Sequence, residues 1–363
     1  MKVTSTPSKK SAVIGRSQLN LLEKLCNASG VSGEEDEVRD IVLEEVKSFS
    51  NEVKVDALGN VLVRSAADVN KPLKVMIAAH MDEVGFILVE SEEGGFFHFR
   101  LVGGVDIRQV PAKPVWIGRK HIPGIIGAKP IHLQEPDESK HNISLESMRI
   151  DVGPDNGSSI KPGERATFAT PFRRSGDVIF AKALDNRLGV ATLIEILKTA
   201  PKNVELLAAF TVQEEVGLRG ARVAAYALQP DIAVALDSTP AFDLPDPDGG
   251  ENTVYNTRLG AGPAVYLADS GTLSDPRLVS FVTRIAEEYQ IPFQFRQPGG
   301  GGTDATAIHK QRGGIPSLSI SIPHRYSHTA VSVARIDDWQ NTLKLMIAFL
   351  GRISADVTRE ERS

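Results

Sequence analysis

Thiols are almost absent from this chain: its 363 residues include one cysteine, Cys26. A lone thiol closes no internal disulfide and builds no cysteine-based zinc site, so any resident metal must rest on His, Asp and Glu. An excess of charge of one sign is missing too. Lys and Arg total 41 against 46 Asp and Glu, a formal charge of −5. That balance supplies neither the basic footprint of a nucleic-acid binder nor a polybasic membrane patch. No uninterrupted apolar run approaches the roughly 18 residues that a membrane-crossing helix needs. The first ten residues are polar and lack the apolar centre of a signal peptide. These absences lead us to expect a soluble, cytoplasmic protein with no nucleic-acid or membrane partner.

What is present is ordinary globular material, 41% hydrophobic and 24% charged, in a length that suits two domains. Residues 1–16 read as a mobile leader. Leu19, Leu22, Leu25 and Cys26 fall on one helical face, which makes Cys26 a small buried hydrophobe. A second helix is expected from Ser32, where Ser32 and Glu35 have capping-box spacing ahead of Val38, Ile41, Val42 and Val46. Two short strands are expected over 53–63, and the apolar run 73–79 reads as a strand buried on both faces. Residues 86–175 hold short strand-like runs separated by Gly and Pro, a β-rich insertion. Beyond 176 strands and helices alternate: strands over 204–212, 232–236 and 315–322, helices over 220–228, 276–289 and 337–353. The expectation is an α/β domain made of 17–85 and 176–363, a mostly parallel sheet flanked by helices, with 86–175 inserted.

The chemistry gathers at strand ends. His80 follows the run 75–79, Glu214 and Glu215 follow 204–212, Asp237 follows 232–236, and His328 lies just beyond 315–322. Asp185 stands where the helix over 186–197 begins. Sites in open α/β sheets form outside the carboxyl ends of strands, so these residues are delivered to one rim. Imidazole and carboxylate without thiolate suit zinc, cobalt or manganese in a hydrolytic site, and paired ions need a bridging carboxylate. Asp82, two residues past His80, is placed to orient a metal-bound imidazole.

The segments Ala79-His80-Met81-Asp82-Glu83-Val84-Gly85, Ala183-Leu184-Asp185-Asn186-Arg187, Gln213-Glu214-Glu215-Val216-Gly217, Leu236-Asp237-Ser238, Gly302-Thr303-Asp304-Ala305 and Arg325-Tyr326-Ser327-His328 occur in the order seen in the tetrahedral (TET) aminopeptidases. The chain resembles that family over residues 18–350. The family is the glutamyl or deblocking aminopeptidase group, family forty-two of the metallopeptidases, whose members also carry a cellulase-like label. The resemblance implies a zinc-exopeptidase-like fold, a PDZ-like inserted domain that mediates oligomerisation, and a dodecamer built from dimers. It also implies two divalent ions per chain, zinc or cobalt with manganese as an option, acting on peptide substrates. Asp185, Glu215 and His328 would hold one ion, and Asp185, His80 and Asp237 the other, with Asp185 bridging. Glu214 would be the general base and Asp82 the partner of His80.

Other signals read more plainly. His98, His121, His132 and His141 carry no ligand spacing, and His309 falls on a short helix; His324 is near enough to His328 in sequence to line the mouth of a site. The run Pro298-Gly299-Gly300-Gly301-Gly302-Thr303-Asp304 lacks the Gly-Lys-Ser/Thr ending of a phosphate loop and reads as a tight turn beside substrate. Adjacent Glu214 and Glu215 cannot easily flank a glycosidic bond with carboxyls about 5–9 Å apart, so they do not support a cellulase. The leading expectation is a dimetal aminopeptidase. Its rivals are a related deacylase or carboxypeptidase, and a binding scaffold with a vestigial site.

Overall fold

The protein is seen as a computed structural model that describes residues 12–48, 52–135, 137, 141–254, 256–297 and 300–359. Helices α1 (Arg16–Asn27) and α2 (Asp36–Val46) come first, then the hairpin β1 (Glu52–Val55) and β2 (Val61–Ser65), and the strand β3 (Leu73–His80). Six strands follow: β4 (Gly85–Glu92), β5 (Phe96–Val102), β6 (Pro114–Ile117), β7 (Ile122–Gly127), β8 (Arg149–Asp151) and β9 (Arg165–Phe168). Next come β10 (Arg173–Ser175), β11 (Val178–Ala181), α3 (Leu184–Lys198), β12 (Val204–Thr211), α4 (Arg219–Leu228) and β13 (Ile232–Pro240). The last stretch holds β14 (Ala264–Val265), α5 (Pro276–Glu288), β15 (Gln294–Phe295), α6 (Ala305–Ile308) and β16 (Ser317–Arg325). It closes with β17 (Ser332–Arg335), α7 (Ile336–Arg352) and α8 (Asp356–Arg359).

The main sheet has the order β1-β2-β12-β3-β13-β16-β17-β11-β10, with β14 against β16 and β15 against β14. Side chains alternate across β3. Val75, Ile77 and Ala79 join a core with Leu22 and Leu25 of α1, Leu188 of α3 and Trp339 of α7. Met76 and Ala78 join Ala221 and Leu228 of α4 and Ile308 of α6 on the other face. Helices therefore cover both faces, which explains the unbroken apolar run.

The expected mostly parallel sheet needs correction to a mixed one. Strands β12, β3, β13 and β16 are parallel at the centre. The β1–β2 hairpin on one flank and β17, β11 and β10 on the other are antiparallel. Helical crossovers force parallel pairing only where helices connect the strands; the flanks are joined by short loops, which permit antiparallel neighbours.

Between β3 and β10 the six short strands close into a barrel in the order β4-β5-β8-β7-β6-β9. Its separate core holds Phe86, Phe97, Phe99, Ile117, Ile150 and Phe168. Phe86 meets Phe99 and Phe168 edge to face at 5.4 and 5.1 Å. Ala330, two residues beyond His328, packs into this barrel core and so anchors a site loop on it.

Two local expectations change. Of the expected leader, residues 1–11 lie outside the described residues, but Ile14 is in the main core and its N–H donates to Gln340 Oε1 at 3.2 Å. The chain is thus anchored ahead of residue 16. Helix α2 starts at Asp36 with Glu35 as its cap, and the Ser32–Glu35 capping box does not form. The Ser32 hydroxyl instead donates to buried Asp82 Oδ2 at 2.6 Å. A hydrogen bond to a buried carboxylate is stronger than a neutral cap, so it wins the hydroxyl.

Candidate active site

The strand ends meet as expected. In the register of the parallel strands Thr211 sits opposite His80, and Asp237 lies one strand over on β13. His80 Nε2 is 3.3 Å from Asp185 Oδ1 and 3.4 Å from Asp237 Oδ1. His328 Nε2 is 3.6 Å from Asp185 Oδ2 and 3.2 Å from Glu215 Oε2. Asp185 therefore turns one oxygen to each histidine. Two clusters of potential ligand atoms result, Asp185, Glu215 and His328 in one and His80, Glu214 and Asp237 in the other, each with its atoms within 4.8 Å of one another.

Backbone geometry aims these groups. Ala183, Gln213 and His328 take left-handed conformations with φ of 53°, 55° and 57°, at a cost of order 1–3 kcal/mol each. Asn186 ties the Asp185 segment to β13, donating from Nδ2 to Leu236 O at 2.9 Å and accepting from Gly189 N–H at 3.0 Å. Any Cβ at Gly189 would fall 2.2 Å from Asn186 Oδ1, so that link needs glycine.

Both histidines are oriented from behind. His80 Nδ1 lies 3.1 Å from Asp82 O, and His328 Nδ1 lies 2.9 Å from Gly104 O. A carbonyl at Nδ1 fixes the proton there and leaves the Nε2 lone pair facing the carboxylates, as in metal-ligating imidazoles. Gly104, just past barrel strand β5, was not legible as a site residue; a Cβ there would sit 3.2 Å from His328 Nδ1.

Asp82 does more than expected. Its carboxylate is 3.5 Å from His80 Nδ1, farther than its own carbonyl. It also accepts the N–H groups of Glu214 and Glu215 at 2.9 and 3.1 Å and the Ser32 hydroxyl, so it fixes the segment carrying both glutamates. Its neighbour Glu83 anchors a buried charge cluster absent from the sequence reading. Glu83 accepts from Lys182 Nζ at 2.8 Å, Arg187 Nη2 at 3.0 Å and Thr167 of the barrel at 2.8 Å. Lys182 and Arg187 bracket Asp185 in the chain, so one carboxylate joins barrel, β3 and the start of α3.

Electrostatics at the site are lopsided. Burial pushes Glu214 well above the usual carboxylate range, and it also raises Glu215 and Asp237. Asp185 is desolvated as well, yet hydrogen bonds with His328 and His80 hold it well below that range. His80 is raised well above the ordinary imidazole value; burial opposes this, but Glu214, Asp237 and Asp185 prevail. Four converging carboxylates with two imidazoles leave an excess of negative charge that two divalent cations would offset, and the donor set fits them.

The leftover groups divide. His324 is fully buried, with neither ring nitrogen hydrogen-bonded among the described residues, and it does not line the cavity as its position suggested. His309 Nδ1 caps its own turn at Ala305 O, and His98 and His121 pair with Glu92 and Glu37 in or beside the barrel. Cys26 is buried with its thiol pushed up to about 12, chiefly by burial, which suits a packing role. Asp304 accepts from Thr211 Oγ1 at 2.6 Å, and burial raises it to about 7. Gly301 takes a φ of 83°, in keeping with a tight turn, while Pro298 and Gly299 lie outside the described residues.

The ligands open into a cavity of about 540 Å³, walled also by Gln109, Leu218, Tyr266, Ser270, Arg296 and Gly300. Among the described residues no helix is long and apolar enough to cross a membrane.

Comparison with known proteins agrees with this geometry. The M42 glutamyl aminopeptidase family model matches residues 59–345. A putative aminopeptidase of Acetivibrio thermocellus is 37% identical, over 90% of this chain and 97% of that one. A solved aminopeptidase of Desulfurococcus kamchatkensis superposes with a TM-score of 0.88 at 34% identity, covering 94% of this chain and 96% of its own. The TET1 peptidase of Pyrococcus horikoshii, described as assembling into a tetrahedron or a large octahedral shell, gives a TM-score of 0.81 at 31% identity, over 93% and 100% of the two chains. The chain belongs to the M42 glutamyl aminopeptidase family and is an aminopeptidase, a hydrolase of peptide bonds.

Proposed function

We propose that the protein removes N-terminal residues from peptides at a two-ion centre. Asp185 bridges, Glu215 and His328 complete one position, and His80 and Asp237 complete the other. The observation that carries this reading is the split of Asp185, one oxygen toward each Nε2. Divalent ions bound there supply Lewis acidity, polarising the scissile carbonyl and acidifying water. Glu214 takes the proton of the attacking water and delivers it to the leaving nitrogen as the C–N bond breaks. A buried carboxylate with a raised proton affinity is suited to that exchange. Glu214 also lies within reach of His80 and Asp237, which would allow a ligand role. Asp185 Oδ1 already meets His80, which favours Asp185 as ligand and leaves Glu214 for the proton.

The division into an α/β catalytic domain (17–85 and 176–363) and an inserted, PDZ-like oligomerisation domain (86–175) belongs to the same proposal. So does a homo-oligomeric shell, up to a dodecamer of dimers, suggested by the assembly of the Pyrococcus horikoshii relative. Sedimentation showing only monomer with metal bound would overturn that assembly. Zinc or cobalt is the proposed resident ion.

The substrate test sets an aminoacyl anilide with a free amine against the same residue N-acylated, and against a carboxypeptidase substrate. The expected result is turnover of the free-amine substrate alone. Preference for the N-acyl compound would make the protein a deacylase instead.

A further inference from the structure

We infer that Arg296 makes the first-residue pocket select an acidic side chain, a glutamyl or aspartyl residue at the peptide N-terminus. This rests on the aminopeptidase reading and adds the substrate class.

Arg296 follows β15, is 6% exposed, and is the one Lys or Arg among the described residues lining the cavity. Its guanidinium stacks on the face of Tyr266, 4.7 Å from the ring centroid. Tyr266 is itself buried against the cavity, and burial pushes its phenol up to about 12, so it stays neutral. Arg296 Nη2 donates to Gly300 O at 2.6 Å and Nε reaches Thr239 Oγ1 at 3.4 Å. A carbonyl, a hydroxyl and an aromatic face orient the cation without cancelling its charge.

The space beside it is shaped for a short side chain. A Cβ built on Gly300 or Gly301 meets nothing within 4 Å, so the glycine run leaves that wall open. Ser270 Oγ, donating to Gly301 O at 2.7 Å, and Thr306 Oγ1, 2.9 Å from Thr272 Oγ1, line the same end with neutral polar groups. Thr239, which Arg296 contacts, lies two residues past Asp237 on β13. Two strand residues span about 6.6 Å, the reach of a glutamyl side chain plus one hydrogen bond.

The acidic groups that share the cavity do not reverse this. Asp185, Glu214, Glu215 and Asp237 belong to the ion-binding end, where bound cations offset them. Asp106 at the wall is held by Arg108 at 2.6 Å. A substrate carboxylate reaching away from the ions meets Arg296, whereas an N-terminal Lys or Arg meets a like charge.

The test uses metal-loaded protein and the 4-nitroanilides of Glu, Gln, Leu and Lys. Glu and Gln differ in charge at nearly constant shape. The expected wild-type kcat/KM ratio of Glu over Gln is about 10–100, the worth of a charge-assisted hydrogen bond, with Lys poorest. In Arg296→Met the ratio should fall close to one, mainly through KM for Glu. Arg296→Lys should keep part of it, because it retains the charge and loses the planar fork. A wild-type ratio of one or less overturns the inference without recourse to either variant. So does a ratio that persists in Arg296→Met with equal metal content. Turnover of none of the four anilides would overturn the aminopeptidase reading itself, whereas brisk turnover of Leu with Glu no better than Gln removes only the role of Arg296.

Discussion

Glu214→Gln should lower kcat by about 10²–10⁴-fold, the usual worth of a general base, while its metal content stays near wild type. The amide keeps the shape and the backbone bond from Glu214 N–H to Asp82 Oδ1, so the segment stays in place. What is lost is the proton acceptor, which corresponds to about 2.7–5.5 kcal/mol of transition-state stabilisation. The neighbouring Glu215→Gln should behave differently. Glu215 Oε2 lies 3.2 Å from His328 Nε2, so a neutral amide there weakens ion binding, and added zinc or cobalt should recover part of the rate. The check is metal content and kcat for both variants, with and without excess metal. Loss of metal in Glu214→Gln with retention in Glu215→Gln would reverse the two roles, and near wild-type turnover in Glu214→Gln would remove the base altogether.

The second large effect falls on Asp185. Its carboxylate is the only group that approaches both His80 and His328 among the site contacts, one oxygen to each. Asp185→Ala removes a ligand from both positions and leaves Asp237, Glu214 and Glu215 with fewer countercharges to share. Both ions should be lost and turnover should vanish. His80→Ala, by contrast, should chiefly empty one position. Asp185→Asn, which keeps the shape and its place beside Ser327 Oγ at 3.2 Å, separates loss of charge from loss of packing. If Asn retains the ions and the rate, the charge of the bridge does not matter and the assignment fails.

Much of this site is legible in the sequence because its ligands follow buried strands. The run from Leu73 to Ala79 ends in His80, and the runs before Glu214 and Asp237 end in the same way. Strand ends on parallel neighbours share one rim, so linear position carries spatial meaning there. Gly104 and Arg296 have no such marker. They reach the site by loops that return from the barrel and from β15, and nothing in their local pattern records the return. Strands β10, β14, β15 and β17, two to four residues long, are too short to show a period, which hides the antiparallel flanks. Ser32 shows a different limit. Its spacing to Glu35 fits a helix cap, but Asp82, fifty positions away, is buried and needs the hydroxyl more.

The bridged two-ion centre is tested most directly by counting metal ions per chain by elemental analysis, alongside turnover, in wild type and Asp185→Ala. For wild type loaded with zinc or cobalt the expected count is about two, with activity falling to nothing on chelation and returning as the count is restored. For Asp185→Ala the expected count is near zero. Full turnover by wild-type protein shown to be metal-free, or two ions retained by Asp185→Ala, would contradict it.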